Sequence, residues 1–384
     1  MDIRSILLGY DNFKEKRLKD RFFKHQEVVA LLSDLPSQFE IRALGKSFLG
    51  KSINLVKWGN GKTKVFLWSQ MHGDEATGTM ALFDLFQFLQ GDDPAVKLLR
   101  ENCSLYMIPM VNPDGAAAFT RRSAQQIDIN RDYLQLLTPE AKILKQCRDE
   151  IQPDFGFNLH DQITLWSVSG SLQPATLSFL APSPDAASTI TPARERAMLV
   201  IAEMFGEVNP TIPGQIGMFK DEYEPRAFGD NFQAAGTSTI LIEAGGYASD
   251  YEKQEIRQFY FHAMLAGLLS IAEKSYTKFT LKDYDNVPKN NKEIFHILVH
   301  DVVLNGITVS IGINYDEYPD PDGNGTYKTY VVQDLGDLSF CDAYHHYSAS
   351  NAKINGEIAL FKCADFELIA DGSAILSFKD GRLL

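Results

Sequence analysis

From residue 40 to about 275 the chain alternates short apolar runs with longer segments in which apolar residues recur at i, i+3 and i+4. That alternation constrains the fold more than any other feature. The runs "KVFLWSQ" (64–70), "SLYMIPMV" (104–111), "FGFNLHD" (155–161), "LSFLAP" (177–182) and "STILIEAGG" (238–246) read as strands. Several are apolar on both faces, so each side must be covered. The intervening "TGTMALFDLFQFLQ", "PEAKILKQCRDEI", "ARERAMLVIAEMF" and "YEKQEIRQFYFHAMLAGLLSIAEK" have the spacing of amphipathic helices that supply the cover. The expected class is α/β, a mixed central sheet flanked by helices.

The 384 residues exceed the roughly 100–200 of a typical domain, and the pattern changes near the end. Around "KDYDNVPKNNKE" (282–293) the composition turns polar. Short strands then follow, with Asn-Gly or Asp-Gly pairs at 305–306, 371–372 and 380–381, the residues that tight hairpins demand. The expected division is residues 1–280 as the main domain and 290–384 as a small C-terminal all-β domain of unknown role, open between covering one side of a cleft in the main domain, self-association and binding another molecule.

A formal charge of −13 argues against nucleic acid, whose phosphates need clustered Lys and Arg. No stretch reaches the roughly 18 consecutive apolar residues of a membrane span. The N-terminal residues mix charge throughout, unlike a secretory signal, and the expected compartment is the cytoplasm. Cys103, Cys147, Cys341 and Cys363 lie far apart, as reduced thiols do, with Cys341–Cys363 the one pairing left open. "DPDGNGT" (320–326) begins like a calcium loop, but its twelfth position is Val331 where a bidentate Glu is required, so a polar hairpin loop is expected. His296, His300, His345 and His346 read as structural or surface residues. No feature of the sequence sets an oligomeric state.

His72-x-x-Glu75 follows the apolar run at 64–70 and precedes a helical segment, the strand-end position where α/β folds place ligands. Two polar residues in a loop prove little alone. A hydrolytic zinc site needs three protein ligands and an open fourth position, and His160 ends another strand run. The alternative for His160 is a satisfied core histidine. Glu243 ends the run at 238–246, where burial demands either a partner, such as an arginine, or a raised pKa. Arg121, Arg122 and Arg131 fall in the loop-like stretch 112–132, which opens with an expected turn at Asn112-Pro113-Asp114-Gly115. A guanidinium in a cleft grips a carboxylate through two parallel bonds, whereas on an open loop it is merely solvated.

Taken together, "GKSFLGKSINLVKWGNG", H-x-x-E at 72–75, "NPDG", R-x-S-A-x-x-I-D-I-N-R, "NLH" and "IEAGG" resemble, in order, the M14 zinc carboxypeptidase family. The resemblance covers residues 45–246. It implies that His72, Glu75 and His160 hold one Zn²⁺ and that Glu243 is the general base. It further implies that Arg121, with Arg122 next in register, polarises the scissile carbonyl, and that Asn130 and Arg131 bind the substrate's terminal carboxylate. The family's substrate-capping tyrosine has its nearest counterpart in Tyr223, with Tyr247 second. Asp132 stands where many relatives have Asn. Asp161 is expected either to support a ligand imidazole or to bond the loop backbone.

The implied activity is a metallocarboxypeptidase acting on a peptide or peptide-like substrate with a free carboxylate. Two other readings stay open. One is an N-acyl amino acid deacylase resembling the aspartoacylase and succinylglutamate desuccinylase group. The other is a non-catalytic zinc-containing binding protein that keeps the fold.

Overall fold

The computed structural model describes residues 3–384. Nine strands precede residue 250: β1 (Glu40–Lys46), β2 (Ser52–Trp58), β3 (Thr63–Ser69), β4 (Cys103–Ile108), β5 (Phe155–Asp161), the short β6 (Ser167–Val168), β7 (Leu177–Leu180), β8 (Ile216–Met218) and β9 (Ser238–Ala244). All but β6 join one eight-stranded sheet, in the order β1-β2-β4-β3-β5-β9-β7-β8. The sheet is mixed: β4, β3, β5 and β9 run parallel, while β2 pairs antiparallel with β4 and β7 with β9. The expected class is therefore the observed one, and the five apolar runs are all strands of this sheet.

The helices are α1 (Ile3–Leu8), α2 (His25–Ser33), α3 (Thr77–Phe88), α4 (Pro94–Asn102), α5 (Pro113–Ala118), α6 (Pro139–Ile151), α7 (Pro192–Val208), α8 (Phe228–Ala234), α9 (Gln254–Glu273) and α10 (Leu281–Asp285). Their starts follow local chemistry. Asp93, Asn112, Thr138 and Thr191 each cap a helix with a side-chain oxygen, and each is followed by a proline whose missing N–H costs nothing at that position. Asn112 thus makes Asn112-Pro113-Asp114-Gly115 the first turn of α5 rather than the free turn expected. One side of the sheet packs Val65, Leu67, Phe157 and Ile242 against α3, α7 and α9. Phe66, Trp68 and Ile108 on the other side pack with Leu144 of α6 and Phe232 of α8. Both layers are buried, which is why these strands tolerate apolar residues on both faces.

A buried ion pair fastens the N-terminal segment to the helical layer. Asp84 and Arg257 are both fully buried and meet through two bonds of 2.5 and 2.7 Å. Tyr10 Oη and the Glu15 backbone N–H donate to Asp84, while Arg257 donates to the Leu18 and Glu15 carbonyls.

Beyond α10 the chain is all β: β10 (Asn290–Asn291), β11 (Ile294–Leu304), β12 (Ile307–Pro319), β13 (Thr326–Gly336), β14 (Asp342–Ser348), β15 (Lys353–Glu357), β16 (Asp365–Ala370), β17 (Ser373–Lys379) and β18 (Arg382–Leu383). They form two four-stranded sheets, β13-β12-β11-β14 and β15-β16-β17-β18, while β10 pairs with β6. Each Asn-Gly or Asp-Gly pair sits in a hairpin with both φ angles positive, 51° and 80° at Asn305-Gly306, the conformation that L side chains resist and these residues accept. Residues 320–325 close the β12–β13 hairpin, and all four cysteines are free. Among the described residues no helix is long and apolar enough to cross a membrane.

Candidate active site

Four parallel neighbours, β4, β3, β5 and β9, deliver their carboxyl ends to one edge of the sheet. His72 and Glu75 lie just past the end of β3 and His160 near the end of β5. In register, His160 pairs with Glu243 on β9. These four residues, far apart in the chain, are thus brought together by strand order alone.

The loop after β3 is held rigidly. Gln70 adopts a left-handed φ of 51°, and its side chain donates to the Gly73 carbonyl and accepts from Thr79 Oγ1. A Cβ at residue 73 would lie 2.0 Å from the Gly115 carbonyl carbon, so glycine is required for the loop to press on α5. Glu75 then stands at the start of α3, where the helix dipole favours a carboxylate.

His72 Nδ1 lies 2.6 Å from Glu75 Oε1 and His160 Nδ1 lies 2.6 Å from Glu75 Oε2. Each of the three residues offers a ligand atom within 4.8 Å of the others, and all three are buried; among the described residues no other such group of three occurs. Two imidazoles and one carboxylate are the donor set of a hydrolytic zinc site. The charges point the same way: Glu75, Glu243, Asp74 and Asp161 crowd the site, against Arg121 and Lys253. This donor set, with further carboxyl groups crowded around it, fits a divalent cation.

Burial lowers the His72 pKa, but the Glu75 and Asp128 carboxylates outweigh it and the net shift is upward. His160, with less compensation, is lowered by burial. Glu75 is held well below the carboxylate range: its burial is overcome by the two imidazoles. Burial, then Glu75, raises Asp74 to about 6. Glu243 is pushed well above its ordinary value, by burial first and then by the Glu75 and Asp161 charges. Its Oε2 is buried without a hydrogen-bond partner.

A cavity of about 910 Å³ contains His72, Glu75, His160 and Glu243, and Arg121, Asn130 and Arg131 line it too. Arg121 donates from Nη1 to Glu75 Oε1 at 3.1 Å and from Nε to Asp128 Oδ2 at 3.1 Å. Arg122 points elsewhere. It bonds the Gln126 carbonyl at 3.0 Å and does not line the cavity, because adjacent residues of this loop project in different directions. Asn130 Oδ1 accepts from the Phe228 N–H, and Arg131 faces Glu224 at 3.2 Å. Tyr223 does not line the cavity although Glu222 and Glu224 on either side do, and Tyr247 borders a neighbouring smaller cavity and packs on Phe259.

Three acidic residues have roles the sequence did not make plain. Asp128 accepts from His72 Nε2 at 3.1 Å and caps the 3-10 turn Ile129–Arg131, so it orients an imidazole. The signal was present as the first letter of D-x-N-R. Asp161 bonds Thr77 Oγ1 and Lys253 Nζ, and neither expectation for its side chain holds. Asp132 bonds the N–H groups of Leu137 and Thr138 and the Thr138 hydroxyl, all at the start of α6. It serves the loop's fold, away from the cavity.

Residues 25–179 match the family described as zinc carboxypeptidase. Among curated proteins, carboxypeptidase 2 of Trichophyton rubrum is 28% identical over 100 residues, 26% of this chain and 19% of that protein. Carboxypeptidase SOL1 of Arabidopsis thaliana is 30% identical over 103 residues, 23% of this chain and 21% of that protein. The matches thus span about a fifth of these relatives' lengths. Among solved structures, a metallo-carboxypeptidase from Burkholderia cenocepacia superposes with a TM-score of 0.54 at 17% identity, covering 66% of this chain and 70% of its own. Bovine thrombin-activatable fibrinolysis inhibitor, solved with a tick carboxypeptidase inhibitor, superposes with a TM-score of 0.54 at 13% identity, covering 67% and 98%. At such identities the superpositions speak for the fold alone. Residues 25–179 thus resemble the zinc carboxypeptidase family in sequence, and the chain shares the fold of solved metallo-carboxypeptidases.

Proposed function

We propose that this protein is a zinc-dependent metallocarboxypeptidase that hydrolyses the C-terminal amide bond of a peptide or peptide-like substrate with a free carboxylate. The observation that carries the reading is the unpartnered Glu243 carboxylate, buried beside His72, Glu75 and His160 in a cavity that also holds Arg121 and Arg131. His72, Glu75 and His160 would hold one Zn²⁺, which when bound supplies a Lewis acid and a water whose pKa falls toward about 7.

The chain's own residues then have distinct tasks. Asp128 holds the His72 ring through Nε2 and leaves Nδ1 facing Glu75. Glu243 accepts the proton of the attacking water and returns it to the leaving nitrogen, splitting one difficult proton transfer into two local ones. Arg121, already among the carboxylates of the site, donates to the oxyanion as the carbonyl becomes tetrahedral. Arg131 and Asn130 take the terminal carboxylate, which would displace Glu224 from Arg131. We assign the carbonyl to Arg121 rather than Arg122 because Arg122 is spent on a backbone carbonyl. Residues 1–280 form the proposed catalytic unit, and with four free cysteines we place the protein in the cytoplasm.

The test is a panel of short peptides, each with a free or an amidated C-terminus, offered to zinc-loaded protein beside Glu243→Gln. The reading expects cleavage only of the free acids, lost in Glu243→Gln. Cleavage of N-acyl amino acids with none of the peptides would overturn it, and so would zinc and peptide binding without turnover.

A further inference from the structure

The cavity that holds the catalytic candidates is not made by the α/β part alone. Its wall includes His296 of β11 and Tyr315, Asp316, Glu317 and Pro319 of β12, so the C-terminal sheet forms one face of the site. That face is fixed at several points. Arg21, itself buried, donates through both terminal nitrogens to Glu317 at 2.8 and 3.2 Å, and Thr326 Oγ1 donates to the same carboxylate at 2.6 Å. On the other side the Thr164 hydroxyl meets His296 Nε2 at 2.9 Å, and Tyr344 Oη donates to the Thr164 carbonyl at 2.6 Å.

Tyr315 is the central piece of the wall. Its ring stacks on His296 with centroids 3.6 Å apart, and its backbone N–H donates to His296 Nδ1. Beside it lies a second cavity of about 200 Å³, and Arg21, Thr164, Lys253, His296, Tyr315 and Glu317 line both spaces, so the stacked pair is one part of the partition between them. Nothing in the chemistry at Glu243 calls for such a partition. It matters to the rest of the substrate. A peptide with its carboxylate at Arg131 and its scissile carbonyl beside Glu243 must lay its remaining residues along the cavity surface. An extended chain advances about 3.3–3.6 Å per residue. A space of about 910 Å³ is at the upper end of the roughly 300–1,000 Å³ of pockets that enclose small ligands.

We propose that β12 is a length filter: the wall built on Tyr315 restricts this site to short peptides of about two to four residues and excludes the tails of folded proteins. This rests on the carboxypeptidase reading above and deepens it by naming the substrate class.

The experiment measures kcat/KM for peptides of about two to eight residues that share one C-terminal pair, using the full chain, and in parallel their binding to Glu243→Gln by calorimetry. In the unmodified chain, kcat/KM is expected to fall at least about tenfold between the tripeptide and the octapeptide, with binding falling alongside. Tyr315→Ala thins the partition between the two cavities and should raise the octapeptide value about fivefold or more while the tripeptide stays within about threefold. Asp316→Trp, at an exposed position on the wall, should do the reverse and depress the tetrapeptide. A length-independent kcat/KM in the unmodified chain overturns the filter and leaves the carboxypeptidase reading intact, as does a profile that neither folded variant changes. If no peptide of any length is hydrolysed, the catalytic reading fails, and length-dependent binding to Glu243→Gln still decides the filter.

Discussion

Asp128 offers the sharpest test of how this site is held. Its carboxylate accepts from His72 Nε2 at 3.1 Å, from Arg121 Nε and Nη2 at 3.1 Å each, and from the Asn130 N–H at 2.9 Å. Replacing it with Ala removes the one hydrogen bond that the described residues make to the outer nitrogen of a proposed ligand imidazole, and it releases Arg121 as well. Loss of such a partner lowers metal affinity about 10–100-fold, or about 1.4–2.7 kcal/mol. Asp128→Asn keeps one neutral acceptor for His72 and for the turn but cannot take the paired donors of Arg121. The expected loss is therefore smaller, about 3–10-fold. The assay is a competition titration of zinc against a chromophoric chelator for the three proteins, with thermal unfolding as a check on folding. If Asp128→Ala binds zinc within about threefold of the unmodified chain, the bond at Nε2 does not fix His72. Equal losses in Asn and Ala would show that the charge matters and the acceptor geometry does not.

Three further outcomes follow from the structure. Glu243→Gln should lower kcat by about 10²–10⁴, with the zinc dissociation constant within about threefold of the unmodified chain; a parallel loss of zinc would make Glu243 part of the metal's hold rather than the base. Asp84→Asn leaves the fully buried Arg257 without its charge partner and should cost about 3–5 kcal/mol in urea unfolding, whereas a cost under about 1 kcal/mol would show the pair to be solvated. Burial raises the Asp230 carboxyl to about 6, above its unfolded value of 3.8, so the folded state binds the proton more tightly. That contribution is fully present below about pH 4 and is lost as pH rises through about 6. Asp230→Asn, which keeps an acceptor for the Glu224 N–H, should therefore stabilise by about 1–2 kcal/mol at pH 7.5 and by almost nothing near pH 4. Equal gains at both pH values would refute the shift.

Much of the architecture could be read before any coordinates. The five apolar runs became strands because a strand covered on both faces has no polar positions to break the pattern, and the segment 139–151 became α6 because its apolar residues recur at helical spacing. The Asn-Gly and Asp-Gly hairpins were readable for a similar local reason: few residues accept two successive positive φ angles. β1 was missed because its exposed edge carries no apolar run, and α5 was missed because six residues are too few to show a period. Metal-ligand candidates and Glu243 were found by their strand-end positions and by the resemblance of the ordered motifs. The choice between Arg121 and Arg122 was left open, since residues one apart in a loop differ only in direction.

By itself the sequence determined five strands of the main sheet, four of its covering helices, the hairpin turns and the residue types able to hold a divalent cation, because each depends on periodicity, on local backbone preference or on side-chain chemistry within a few positions. Only the tertiary structure decided that Asp128 rather than Asp161 supports an imidazole, that Tyr223 stays out of the cavity lining, and that Tyr315 closes one face of it. Those outcomes depend on which strand edges meet and which loops face one another across 50 to 200 residues of chain. The free energy of such contacts comes from burial and charge pairing in the assembled core, where no local pattern records it.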